Sequence, residues 1–150
     1  MGLKEKLQSD LTDAIRSQDA VKSGTVRMLL AAITNEEVAG KAAKVLTDAE
    51  IITVLSREAK KRREAVDAYA QAKRDDLANK EKAEGVIIAL YLPEQLSETE
   101  IKKMIAEAIS ETNASGPAGM GLVMKVLQPK IAGKADSGLV SGLVKAALSQ

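Results

Sequence analysis

From Ser115 to the end of the chain, four lysines (Lys125, Lys130, Lys134 and Lys145) stand against one acid, Asp136. Ammonium groups beside free helix N-termini suit phosphate oxygens, so this tail is a candidate RNA-binding surface. The same lysines would serve equally well as the solvated rim of a small helical bundle. Gly116, Gly119, Gly121 and Gly133 lack the spacing of a phosphate loop or dinucleotide fingerprint, and no strand precedes them.

The densest basic run is Arg57-Glu58-Ala59-Lys60-Lys61-Arg62-Arg63. On a helical wheel Arg57, Lys60 and Lys61 lie opposite the apolar stripe. Arg62 falls among the apolar residues, one turn after Glu58. Glu before Arg at this spacing is the favourable order, so Glu58 and Arg62, with Arg63 beside them, read as a partly buried ion pair that fixes helix packing. Ligand or RNA binding is the other reading. Asn35-Glu36-Glu37 offers two carboxylates, but adjacent glutamates point about 100° apart on a helix and do not converge on a metal. Acid at a helix C-terminus is mildly unfavourable; pairing with a cation such as an arginine of the third helix is the lesser reading, and a merely structural role is the one expected.

The chain has no histidine and no cysteine. Thiol nucleophiles, imidazole bases and the usual zinc sites are thereby excluded, leaving carboxylate, lysine or serine chemistry. No catalytic constellation, cofactor or metal is expected.

The elements that must position these groups are helices. Leu3, Leu7, Leu11 and Ile15 recur every four residues and predict a helix from about Leu3 to Ser17. A second runs from about Asp19 to Val38 and stops at Gly40, with Gly24 marking a close helix contact. Thr47 and Glu50 form a capping box with Leu46 and Ile51 as its staple, opening a long helix toward Lys73. Asp75 or Asp76 caps a fourth helix, which ends in the apolar run Val86 to Leu92 before Pro93. That run is expected to be buried on every side where two halves meet. Ser97 and Glu100 repeat the capping box, and the helix they open ends at Asn113. Pro117 begins a sixth helix, Pro129 and Gly133 bracket an irregular link, and Asp136 caps a seventh. The expected fold is all-α: four longer helices over residues 1–92, then a compact three-helix subdomain over 93–150.

Composition agrees with that architecture. The chain has no Phe or Trp, and its tyrosines are Tyr69 and Tyr91. The core must therefore come from Leu, Ile, Val, Met and Ala, and RNA recognition by base stacking is disfavoured. With 22 basic and 21 acidic residues there is no global field toward nucleic acid or membrane. No apolar run reaches the length of a bilayer span and no signal-peptide pattern opens the chain, so a cytoplasmic protein with no membrane partner is expected.

Several pieces, taken in order, resemble a known family. They are Arg27-Met28-Leu29-Leu30-Ala31-Ala32-Ile33-Thr34-Asn35-Glu36-Glu37, Glu58 to Arg63, Tyr91-Leu92-Pro93-Glu94-Gln95-Leu96-Ser97, and Gly121 to Met124 followed by Pro129-Lys130 and Gly133-Lys134-Ala135-Asp136. Together they look like the YqeY family, free-standing relatives of the tail domain of the GatB subunit of tRNA-dependent amidotransferases. Leu122, Lys125 and Lys73 depart from the residues usual there, a glycine often standing where Lys73 does. The resemblance implies a two-part helical protein related to carbon-nitrogen ligases, with a GatB-tail-like second part that approaches tRNA. The transamidation chemistry of that machinery belongs to domains this chain does not contain. The expected function is thus a non-catalytic RNA-binding module whose partner is tRNA or a tRNA-handling enzyme. A protein-binding helical adapter and an amidotransferase component using glutamine as amide donor are the alternatives.

Overall fold

The computed structural model describes residues 2–149, which form helices, turns and loops with no strand. Seven α-helices follow in order among these residues: α1 Leu3–Arg16, α2 Ala20–Val38, α3 Asp48–Gln71, α4 Asp75–Ala89, α5 Glu98–Thr112, α6 Met120–Ile131 and α7 Ser137–Leu148. The fold is all-α. The chain divides into two compact units, Met1–Leu92 and Pro93–Gln150.

In the first unit, Leu7, Val26, Leu29, Ile33, Ile51, Leu55 and Ile88 interlock in one core with Tyr91 at its edge. Thr47 and Glu50 form the reciprocal capping box that starts α3, and Leu46 beside it is buried against the same core. The 24 residues of α3 make a rod of about 36 Å, the longest element of this unit. In the second unit α5, α6 and α7 bury Ile101, Ile105, Val123, Leu127, Val140 and Val144 together. A capping box of Ser97 and Glu100 opens α5, and Asn113 closes it in the left-handed conformation at φ 52°.

Two helix ends share one device. After α1, the amide of Asp19 donates to the Ala14 carbonyl; after α3, the amide of Arg74 donates to Tyr69. Each bond reaches back five residues across a residue with positive φ, Gln18 and Lys73, both at 58°. This is the Schellman stop, which normally takes glycine because a Cβ is strained there. Lys73 stands at the very position where the resemblance leads one to expect glycine.

Five sequence expectations are corrected. The run Val86 to Leu92 is not buried all round: Ile88 and Tyr91 are buried, while Val86 and Leu90 are 67% and 69% exposed. Helical geometry is the reason, since residues one turn apart share a side and Val86 and Leu90 fall opposite the core. Gly24 marks no close contact, for a Cβ there would meet nothing within 4 Å; a close backbone approach lies instead at Gly119, where a Cβ would sit 3.2 Å from Ala114 Cα. Asp75 and Asp76 occupy the first turn of α4 rather than its cap, which is Arg74, so they act through charge at the helix N-terminus. Pro117 starts a single 3-10 turn, Pro117–Gly119, and Pro129 lies inside α6. Proline at 129 withholds an amide from the Lys125 carbonyl, and α6 runs only two residues further, to Ile131, before the chain turns at Gly133, φ 73°.

The positive φ at Lys73 gives a direct test. Lys73→Gly relieves left-handed strain while adding unfolded-state entropy, and the net expected gain is about 0.5–1 kcal/mol in urea denaturation. A loss of stability would mean that the Lys73 side chain contributes more than the strain costs.

Candidate functional site

The basic run of α3 divides between two faces. Arg62, facing α4, is the hub of the first: its guanidinium lies 3.7 Å from Glu58, 3.3 Å from Glu81 and 2.9 Å from Glu84. Its Nη1 also meets the Met28 sulfur at 3.3 Å. The Nε contact with Glu81 is an ion pair without hydrogen-bond alignment. Three carboxylates on one half-buried arginine join α3 to α4, the Met28 sulfur adds α2, and the Glu58 carboxylate receives Lys61 on its other oxygen at 2.8 Å. Arg63 is exposed and stands outside this cluster. Sequence reading did not find Glu81 and Glu84. Their signal was two acids three apart among Lys80 and Lys82, which puts them on one side of α4.

On the other face, α2 and α3 enclose a cleft of about 300 Å³ lined by Ala32, Asn35, Glu36, Ala39, Val54, Arg57, Glu58 and Lys61. Arg57 reaches across it to Glu36 at 3.4 Å, supplying the cation that the acidic end of α2 calls for. Glu37, on the next side of α2, turns instead to Lys4 of α1 at 2.7 Å and accepts the Leu46 amide. Those hydrogen bonds, the one from Lys4 above all, hold its carboxyl below the ordinary glutamate range. The two glutamates therefore diverge, and no cluster among the described residues could hold a metal.

A second polar knot joins α1 to the end of α4. The Tyr91 hydroxyl donates to Asp10 at 2.6 Å, and Lys6 pairs with the same carboxylate at 3.0 Å while lying 5.6 Å from the Tyr91 ring centroid. The Tyr91 bond lowers the Asp10 carboxyl below its usual range, and burial together with Asp10 pushes the Tyr91 hydroxyl well up.

In the second unit, Lys130 sits in the last turn of α6 and Lys134 in the loop that follows. That loop is held from the segment before α5: the Leu96 amide donates to the Lys134 carbonyl at 2.9 Å, and the Gln95 amide nitrogen donates to the carbonyls of Gly133 and Pro93, each at 2.8 Å. Lys125 lies on α6 and Lys145 on α7. All four lysines are exposed. An ion pair on α5 joins Lys102 to Glu98 at 3.1 Å. The Pro-Glu-Gln-Leu and Gly-Lys-Ala-Asp pieces, which are 38 positions apart at Gln95 and Gly133, thus meet as one hydrogen-bonded loop pair.

The family model described as Yqey-like protein matches residues 4–148. The chain belongs to the YqeY family. Its relatives include three proteins named Altered inheritance of mitochondria protein 41, mitochondrial. The one from Pyrenophora tritici-repentis is 32% identical over 91% of this chain and 75% of its own length. That from Clavispora lusitaniae is 31% identical over 87% and 76%, and that from Candida glabrata 28% identical over 74% and 62%. These YqeY relatives overturn the cytoplasmic location expected from sequence, because their names point to mitochondria. Absence of cysteine and of a long apolar run does not distinguish one reducing compartment from another. Among the described residues, no helix is long and apolar enough to cross a membrane.

Two predictions follow from the polar knots. Asp10, Glu37 and Glu50 all have carboxyls lowered in the fold. The stability they contribute is present above their unfolded values, 3.8 for Asp10 and 4.5 for the glutamates, and is lost as pH falls below these through the lower folded ones. In urea titrations across that range the double variant Asp10→Asn, Glu37→Gln shows a flatter acid limb, and an identical slope would refute the assignment. Arg62→Met strands Glu58, Glu81 and Glu84 beside one another. The expected loss is about 2–4 kcal/mol in urea denaturation at neutral pH, and a loss below about 0.5 kcal/mol would show that the cluster does not clamp the helices.

Proposed function

We propose that the chain is a non-catalytic RNA-binding module, with tRNA or a tRNA-handling enzyme as its partner, working in mitochondria. The observation that carries this reading is the charge of the tail: Lys125, Lys130, Lys134 and Lys145 are exposed, and Asp136 is the one acid from Ser115 onward. The Gln95 and Leu96 hydrogen bonds support it further, since they hold the Lys134 loop in place next to the end of α6. Binding of this kind reads phosphate rather than base, as befits a unit without an aromatic ring to stack on. The mitochondrial setting is supported by the relatives' names.

One observation favours a second reading, a protein-binding adapter. Val86 on α4 and Leu90 at its C-cap, one turn apart, are both about two-thirds exposed and form an apolar surface suited to a partner helix.

Titration of the full chain with tRNA at two salt concentrations tests the proposal. Four phosphate contacts predict that the logarithm of affinity falls by roughly 0.9 per contact per decade of salt on duplex RNA regions. Lys130→Glu with Lys134→Glu should weaken binding and lower that slope by about 2. Salt-independent binding, or binding unchanged by the double reversal, would overturn it. Partners captured from extract after nuclease treatment, and lost on Val86→Asp, would favour the adapter instead.

A further inference from the structure

We infer that the cleft between α2 and α3 binds a small zwitterion, a free α-amino acid. At about 300 Å³ it sits at the small end of ligand pockets. Opposite charges converge on it from its two walls, Glu36 from α2 and Arg57 with Lys61 from α3. The Glu36–Arg57 pair that spans the mouth is long at 3.4 Å, and its side chains are 40% and 57% exposed, so exchanging it for a ligand costs little. Charge balance then selects the ligand. A plain carboxylate taking Arg57 leaves Glu36 with only the more distant charge of Lys44, and a plain ammonium taking Glu36 leaves Arg57 without a carboxylate. An α-amino acid replaces both partners at once, its carboxylate on the Arg57 guanidinium and its ammonium on Glu36.

The rest of the cleft fits the same ligand. Lys61 is held at the wall by Glu58, whose second oxygen faces Arg62, so a cation stays beside Arg57 with its own charge already balanced. Val54 supplies apolar floor for the first carbons of a side chain, and the exposed Asn35 amide offers both a donor and an acceptor to a polar side-chain end. The site lies wholly within the first unit and is independent of the lysines assigned to RNA.

The test is backbone-amide NMR titration of the full chain with L-alanine, L-glutamine and L-aspartate, beside sodium acetate and methylammonium chloride as half-ligands at matched ionic strength. Saturable shifts confined to amides of residues 32–39 and 54–61 are expected by about 10 mM amino acid, with affinity roughly tenfold above either half-ligand. Arg57→Gln and Glu36→Gln should each reduce that affinity about tenfold, with the melting temperature unchanged to show that the variants fold. Absence of saturable shifts with all three amino acids, equal binding of acetate, or full affinity in both variants would overturn the inference. The half-ligand comparison decides the matter on the parent chain should either variant fail to fold.

Discussion

A core built without large rings has little to lock one helix against another. Leucine, isoleucine, valine and alanine pack densely, but their surfaces are alike enough that neighbouring registers differ by little in buried area. In this protein that choice falls to a few polar clamps set where each helix pair meets. Arg62 takes carboxylates from α3 and α4 and touches Met28 of α2. Glu37 ties α2 to α1 through Lys4, and Tyr91 ties the end of α4 to α1 through Asp10. Gln95 does the equivalent in the second unit, fastening its first segment to the loop after α6. A slip of one turn in α1, α2, α3 or α4 would leave a half-buried charge without its partner, at a cost well above that of a few misplaced methyl groups.

Much of this was readable from residue order alone, where the determining chemistry is local. The capping boxes of Thr47 and Ser97 lie within four residues, as does the Glu58–Arg62 spacing, and the all-α class follows from apolar periodicity over whole helices. What escaped was whatever depends on a neighbour distant in sequence. The apolar run from Val86 onward gives no sign of which sides will find cover. Glu81 and Glu84 look like ordinary surface acids until α4 is laid against α3. Pro129 reads as a break because its missing amide is visible in the sequence, whereas its place in the final turn of α6, where that loss is tolerated, is not.

The candidate sites divide in the same way. The tail lysines announce themselves by charge count, since a stretch of 36 residues with four cations and one acid needs no fold to be noticed. The α2–α3 cleft is a product of packing: Asn35 and Glu36 come from one helix, Arg57 and Lys61 from the next, and neither set alone suggests a pocket. The resemblance carried by the Tyr-Leu-Pro-Glu-Gln-Leu and Gly-Lys-Ala-Asp pieces acquires a physical basis in the hydrogen bonds from Gln95 and Leu96, which make two short motifs one structural object.

Both aromatic side chains of the protein, Tyr69 and Tyr91, belong to its first unit. Near-ultraviolet dichroism and tyrosine emission therefore report that unit alone, with Tyr91 dimmed by the hydrogen bond it donates to Asp10 at 2.6 Å. Helical dichroism in the far ultraviolet, by contrast, sums over the whole chain. The molecule carries its own optical label on one half, and melting the two halves at different temperatures would separate the two signals without any added dye.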